Sequence, residues 1–163
     1  MAATARPEIR ADLANLQLAA IERLEGRREQ FSPADRRTYE FARAQALAGA
    51  GRVEEAGQAL DSLAQAYPRD GEIQEAHAAL LLAGTDRASL ERSLAKWRQV
   101  EEKAAPASER WFRAKYNVAS LHYRLGNREQ AARIIRLLQI VHPELGGPER
   151  KRQFLELLAQ ATR

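Results

Sequence analysis

Few residues in this 163-residue chain stand at spacings that support catalysis or metal binding. The histidines, His77, His122 and His142, lie far apart, and none has a carboxylate or a second histidine at the spacing of metal ligands. The chain contains no cysteine, no glycine-rich phosphate loop and no nucleophile–base signature. The acidic pairs Glu54–Glu55 and Glu101–Glu102 fall on amphipathic patterns, where solvent exposure explains them. We therefore expect no enzymatic activity, no cofactor and no bound metal.

Charge is the second feature that bears on function. The net charge is +4, but residues 1–86 carry 10 basic and 14 acidic groups, whereas residues 87–163 carry 16 and 8. The basic half contains Arg128, Arg133 and Arg136 at helical spacing and the run Arg150–Arg152. Such clusters can neutralise phosphates, so binding of nucleic acid or another polyanion is one alternative function. The uneven distribution of charge between the acidic residues 1–86 and the basic residues 87–163 equally favours head-to-tail self-association.

Composition predicts an all-α protein. Alanine fills 32 positions and leucine 20, whereas glycine and proline together fill only 15. The apolar fraction of 45% argues against intrinsic disorder. No apolar run approaches the roughly 18 residues of a membrane span, and Met1–Arg10 lacks the apolar stretch of a secretory signal. We therefore predict a cytoplasmic protein without a membrane segment.

Helical periodicity runs along nearly the whole chain and predicts about eight helices and no strand. The first helix should cover Pro7–Glu25 and end at Gly26. Its apolar stripe is predicted to consist of Leu13, Leu16, Ala20, Ile21 and Leu24. Predicted N-caps are Ser32 with Asp35, Thr85 or Asp86, Ser108, and Asn127 with Gln130. Proline and glycine separate the helices at Gly51, Pro68, Gly84, Gly126 and Pro143.

An internal repeat appears when the sequence is shifted by 75 residues. The shift aligns identical small or helix-terminating residues: Ala44 with Ala119, Gly51 with Gly126, Ala56 with Ala131, Pro68 with Pro143, and Gly71 with Gly146. Small residues let two antiparallel helices approach, glycine takes the turn, and proline ends the second helix. Such self-similarity is typical of helical repeat arrays.

This pattern resembles the tetratricopeptide repeat, a helix–turn–helix unit of 34 residues. Arg37–Asp70 and Phe112–Leu145 match the repeat, and Gly71–Trp111 between them is longer and degenerate. The match depends on eleven residues. In the first repeat they are Ala44, Leu47, Gly51, Ala56, Leu60 and Pro68, and in the third repeat they are Ala119, Gly126, Ala131, Ile135 and Pro143.

The resemblance implies a right-handed α-solenoid of antiparallel helix pairs. Residues 1–31 would form an N-terminal flanking helix, and residues 32–145 would contain the three repeat units 37–70, 71–111 and 112–145. Residues 146–163 would form a C-terminal capping helix. The implied function is non-catalytic: an adaptor or scaffold that holds a protein or peptide segment in the concave groove. His122 would face the core.

By repeat position, the groove would be lined by Thr38, Phe41 and Gln45, by Glu72, Glu75 and Leu82, and by Arg113, Tyr116, Ser120, Tyr123 and Arg124. The variant of the family that clamps a chaperone's C-terminal carboxylate does not fit, because Phe41, Gln45 and Asn117 occupy positions that require other residues. We hypothesise that the groove binds an extended segment with an acidic end near Arg113 and Arg124. A solvated helix face is the alternative explanation of these two arginines.

Two further questions stay open at this level. Trp97, Trp111 and Phe112 either form an aromatic anchor for a partner or pack the second repeat, 71–111, against the third, 112–145. The chain is either a free-standing adaptor, similar in length and repeat count to the tetratricopeptide chaperones of bacterial type III secretion, or the C-terminal module of a longer repeat protein.

Overall fold

The computed structural model describes residues 7–163, except the side chains at positions 7, 8 and 10, and within this range it is all-α, as predicted. Residues 1–6 of the predicted N-terminal flank lie outside the described part of the chain. The described elements are α1 (Pro7–Glu22), a 3₁₀ helix (Glu25–Gln30), α2 (Pro33–Gly49), α3 (Val53–Ala66), α4 (Gly71–Leu82), α5 (Arg87–Lys103), α6 (Glu109–Arg124), α7 (Arg128–Val141) and α8 (Pro148–Ala161).

The chain forms two compact units, of which the first ends at Leu80. In this first unit α1 packs on α2 and α2 packs on α3. Ile73 of α4 is buried with Leu60 and Leu63 of α3. The side-chain amide of Gln74 donates to the carbonyl oxygen of Ala64 at 2.8 Å, which ties the start of α4 to the end of α3.

The second unit covers Leu81–Arg163. Helices α5 and α6, α6 and α7, and α7 and α8 pack in pairs, and α8 also contacts α6. Trp97 and Phe112 are buried in this unit, so for these two residues the packing interpretation is confirmed over the aromatic anchor. Trp111 contacts both Phe112 and His142 edge-on.

The α2–α3 and α6–α7 turns have the same backbone geometry, 75 residues apart. Gly51 and Gly126 have positive φ angles of 79° and 86°, which favour glycine. The next residue in each turn donates its N–H back to the preceding helix, Arg52 to Leu47 at 2.9 Å and Asn127 to His122 at 2.8 Å. The sequence repeat therefore corresponds to one glycine turn of the same kind in each of the two compact units.

Three predicted caps form as expected. Oγ of Ser32 accepts from the N–H of Asp35 at 3.2 Å, and Oγ of Ser108 accepts from Trp111 at 3.2 Å. Of the two candidates before α5, Asp86 is the cap. The predicted Asn127 cap is wrong: its side chain makes no capping bond, because the glycine turn places Asn127 at ψ 60° rather than in extended backbone.

The first helix differs from its prediction in length and in orientation. It ends at Glu22, and Gly26 lies inside the 3₁₀ helix that follows. Ala14 and Leu18 are buried, whereas Leu13 and Leu16 of the predicted stripe are exposed. A Cβ on Gly49 would lie only 2.9 Å from Cβ of Ala14, so α1 and α2 approach closely where these two small residues face each other.

Candidate partner-binding surfaces

In the first unit, the predicted groove residues Phe41 and Glu72 both contact the guanidinium of Arg37. Arg37 donates to Asp70 through Nε at 2.9 Å and through Nη2 at 2.5 Å, and Nη2 also contacts Glu72 at 3.0 Å. Its guanidinium carbon lies 5.1 Å from the ring centre of Phe41. Asp70 in turn accepts the N–H of Ile73, at the start of α4. Phe41 and Glu72 thus take part in an internal network that joins α2 to α4.

The other predicted residues of this unit are distributed along the same helices. Thr38 is exposed on α2, where its hydroxyl donates to the carbonyl oxygen of Ala34 at 3.0 Å. Gln45 is exposed one turn beyond Phe41. Glu75 is half-buried on α4.

In the second unit, the predicted aromatic groove residues pack against α8. The ring of Tyr116 contacts the ring of Phe154 edge-on at 5.4 Å between centres. Tyr123 packs against two buried clusters, which include Phe154 and Ala161 of α8. The last helix therefore occupies part of the surface that these tyrosines were predicted to present to a partner.

The predicted polar groove residues of this unit also have contacts within the chain. Arg113 donates to Glu109 at 2.6 Å. Arg124 donates to two backbone carbonyl oxygens, those of Leu82 and Gly84, each at 2.8 Å. Ser120 is half-buried between Tyr116 and Tyr123 along α6.

Several of the basic residues predicted to bind a polyanion are similarly engaged. The guanidinium of Arg128 stacks on Tyr123 at 5.7 Å, and that of Arg150 donates to Gln153 at 2.7 Å. Lys151 lies 3.5 Å from Glu144. Arg133, Arg136 and Arg152 differ, because the side chain of none of the three has a hydrogen-bond or ion-pair partner among the described residues.

Arg133 and Arg136 border an exposed apolar surface that the sequence analysis missed. Leu137, Ile140 and Val141 follow them on the outer side of α7, and Ile140 is 76% exposed. A groove of about 580 Å³ runs between this side of α7 and the end of α8. We call it the α7–α8 groove; its lining consists of Glu129, Ala132, Arg133, Arg136, Leu137, Ile140, Ala161 and Thr162.

A signal for this groove was present in the sequence. The predicted inward stripe of α7 consists of Ala131, Ile134, Ile135 and Leu138, and these positions already fill one side of the helix. Leu137 and Ile140 are apolar residues in excess of that stripe. A helix with apolar residues on a second side needs a second contact or leaves that side in water.

His122 is a titratable group of the second unit that burial perturbs. It is a packed residue, as predicted, and Nη2 of Arg98 lies 3.1 Å from its Nε2. Burial, and next the positive charge of Arg98, lower the pKa of His122 below its ordinary value. Because Nε2 faces a donor, the ring is neutral with its proton on Nδ1, which has no hydrogen-bond partner in the described structure.

A cavity of about 720 Å³, lined by both charged and apolar residues, lies in the first unit. The hydroxyl of Tyr39 donates to Glu25, and burial together with this carboxylate raises the pKa of Tyr39 to about 12. Arg28 binds Glu40 at 2.7 Å and Glu25 at 3.4 Å. These charged groups bind one another, so this part of the cavity has the character of a structural ion-pair network.

Residues 7–163 offer no basis for two other kinds of site. No group of three or more histidine, aspartate or glutamate side chains is placed to hold a metal ion there. Nor does that part of the chain contain a helix whose length and apolar character would suit a bilayer. No protein-family model, curated protein or solved structure matches the sequence or its fold.

Proposed function

We propose that this chain is a non-catalytic adaptor of the tetratricopeptide type that binds an acidic, apolar segment of a partner protein in the α7–α8 groove. The observation that carries the proposal is the exposure of Leu137, Ile140 and Val141 beside two arginines that have no acidic partner in the described chain. Exposed apolar surface next to unneutralised charge is typical of protein interaction sites. The matching turns at Gly51 and Gly126 support the repeat architecture.

The proposed surface differs from the concave groove implied by the family resemblance. Tyr116 and Tyr123 contact α8, and Arg124 is bound to backbone carbonyls. A partner that used these groups would have to displace contacts inside the second unit. Arg133 and Arg136 could bind a partner without displacing any contact of this kind.

The chemistry of the groove defines the partner. Leu137 and Ile140 favour apolar side chains, and an amphipathic helix offers them at three- and four-residue spacing. Arg133 and Arg136 favour carboxylates beside that stripe, because each would gain an ion pair without losing one. The preferred segment is thus an amphipathic helix with acidic flanks.

Nucleic-acid binding is the weaker alternative. Arg128, Arg150 and Lys151 already have partners within the chain. Of the three arginines of this set without a side-chain partner, Arg133 and Arg136 border Leu137 and Ile140, whose aliphatic side chains make no favourable contact with a phosphate backbone. A basic surface interrupted in this way suits a protein segment better than a duplex.

The proposal is tested with a fluorescein-labelled synthetic helix of about 16 residues that carries a leucine stripe and glutamate flanks. We expect saturable binding by fluorescence anisotropy, and a loss of at least about tenfold in affinity for Leu137→Ser/Ile140→Ser, because two buried anchors are removed. Val53→Ser is the control, since Val53 is an exposed apolar residue of α3 in the first unit.

Two outcomes would contradict the proposal. One is binding of the helix that the groove variant leaves unchanged. The other is failure of the helix to bind while a labelled oligonucleotide binds in a salt-dependent manner, which would favour the polyanion alternative.

A further inference from the structure

A second apolar surface lies exposed on the first helix. Ile9, Leu13 and Leu16 recur at four- and three-residue spacing on α1, and Leu16 is 70% exposed. We call these three residues the α1 stripe. The other side of the helix is already used, because Ala14 and Leu18 are buried in the first unit. Helix α1 is thus apolar on two sides and has a partner on one.

The α1 stripe carries the features that the α7–α8 groove requires. It presents three large aliphatic side chains along one side of a helix. Asp12 lies between Ile9 and Leu16 on the helix surface and is exposed, and Glu22 is exposed at the helix end. One carboxylate therefore stands beside the stripe, and a second, which lies 3.9 Å from Arg52, stands beyond its C-terminal end.

The charges of the two units are complementary as well. Residues 1–80 contain 10 basic and 13 acidic residues, a net charge of −3. Residues 81–163 contain 16 basic and 9 acidic residues, a net charge of +7. Opposite charges steer two molecules together and disfavour contacts between like units.

We infer that the occupant of the α7–α8 groove is the α1 stripe of a second copy of this chain. The inference rests on the proposed function in assuming that the groove accepts an acidic amphipathic helix. Leu137 and Ile140 of one copy would contact Leu13 and Leu16 of the next. Because the two surfaces differ, each added copy leaves one α1 stripe and one groove unoccupied, and association proceeds head to tail.

The two surfaces can be inactivated separately. Leu13→Glu/Leu16→Glu places charge on the α1 stripe and leaves the groove intact, whereas Leu137→Glu/Ile140→Glu does the reverse. All four positions are exposed, so folding should be retained, which circular dichroism checks. Leu13→Ser/Leu16→Ser and Leu137→Ser/Ile140→Ser are the milder versions if either double glutamate variant loses helicity.

Sedimentation velocity then gives the test. The wild-type protein should sediment faster as its concentration rises, with species beyond a dimer of the 18.3 kDa chain. Each double variant alone should remain a monomer. Mixed in equal amounts, the two variants should form a 1:1 heterodimer and nothing larger, because one intact groove and one intact stripe remain in the mixture.

Other results would overturn the inference. A wild-type protein that stays monomeric at all concentrations would exclude the second copy as occupant. A variant that still assembles by itself, or a mixture that stays monomeric although wild type assembles, would show a different interface. The Val53→Glu variant is the control and should assemble like wild type.

Failure of this inference is distinguishable from failure of the proposed function. If the synthetic glutamate helix binds but mixed variants do not, the groove accepts acidic helices and the occupant is another protein. If the heterodimer forms but the helix does not bind, self-assembly holds and the general adaptor function fails.

Discussion

The guanidinium of Arg124 is bound to the backbone at Leu82, with 2.8 Å between Nη1 and the carbonyl oxygen. Its Nη2 donates to the carbonyl of Gly84 at the same distance. Carbonyl oxygens at a helix end have no partner within the helix, and Arg124 supplies a donor to that of Leu82, the last residue of α4. The residue predicted to recognise an acidic partner thus holds the backbone of Leu82 and Gly84 to α6 within the second unit.

This contact predicts that Arg124→Ala destabilises the protein. Loss of charged hydrogen bonds to two carbonyls should lower the free energy of unfolding by about 1 kcal/mol, or the Tm by about 2–4 °C. Arg136→Ala is the matched control, because Arg136 has no partner in the described structure and its loss should leave the Tm unchanged. Equal melting of the two variants would contradict the structural role of Arg124.

Two glycines with nearly the same φ provide a second prediction. A Cβ on Gly126, at φ 86°, would meet open space, whereas a Cβ on Gly146, at φ 84°, would lie 2.8 Å from the Phe112 ring. Gly126→Ala should cost about 1 kcal/mol from backbone strain alone. Gly146→Ala should cost at least about 1 kcal/mol more, because the Phe112 ring must also move. Urea denaturation measures both, and equal losses would show that Phe112 adjusts freely.

The repeat register predicts the effect of enlarging two small residues. Ala56 and Ala131 are fully buried at equivalent positions of the repeat. A leucine at either position should overpack the contact between the paired helices and cost about 1–3 kcal/mol. Ala159→Leu on the exposed side of α8 is the control. Unchanged thermal melting of both buried-site variants would reject the register.

The pKa of His122 predicts a loss of stability in acid. Its folded-state pKa is lowered by burial and by Arg98, so the unfolded chain binds more protons once the pH falls below the ordinary histidine value. The contribution of neutral His122 to the free energy of unfolding is complete above about pH 6.5. It declines as the pH falls toward the lowered pKa of the folded state. His122→Gln should flatten this decline, whereas His142→Gln should retain it. Urea denaturation between about pH 5 and pH 7.5 checks the slopes, and identical slopes in all three proteins would refute the assignment.

The all-α fold could be predicted because its signals are local. Ser32 and Ser108 indicate helix starts, because each side chain accepts a hydrogen bond from the N–H of the residue three positions later. Gly51 and Gly126 indicate turns that require a positive φ. Each of these features depends on a few neighbouring residues. The sequence therefore contains most of the information that sets the helix boundaries.

The candidate surfaces depend on contacts that local patterns do not encode. Leu13 and Leu16 match a buried stripe as well as Ala14 and Leu18 do, and the close approach at Gly49 favours the side of α1 on which Ala14 lies. The carbonyl oxygens that Arg124 binds carry no side-chain signature, and they lie about 40 residues away in sequence. Periodicity predicts that a helix is amphipathic but does not decide which side finds a partner.

The central claim, that the α7–α8 groove selects an acidic helix through Arg133 and Arg136, is tested most directly by calorimetric titration with two synthetic helices. They share one leucine stripe and differ only in glutamate or lysine flanks. Wild type should bind the glutamate helix about fivefold or more tightly than the lysine helix, since two exposed ion pairs replace two repulsions. Arg133→Glu/Arg136→Glu should reverse that preference. The same preference in both proteins would contradict this claim.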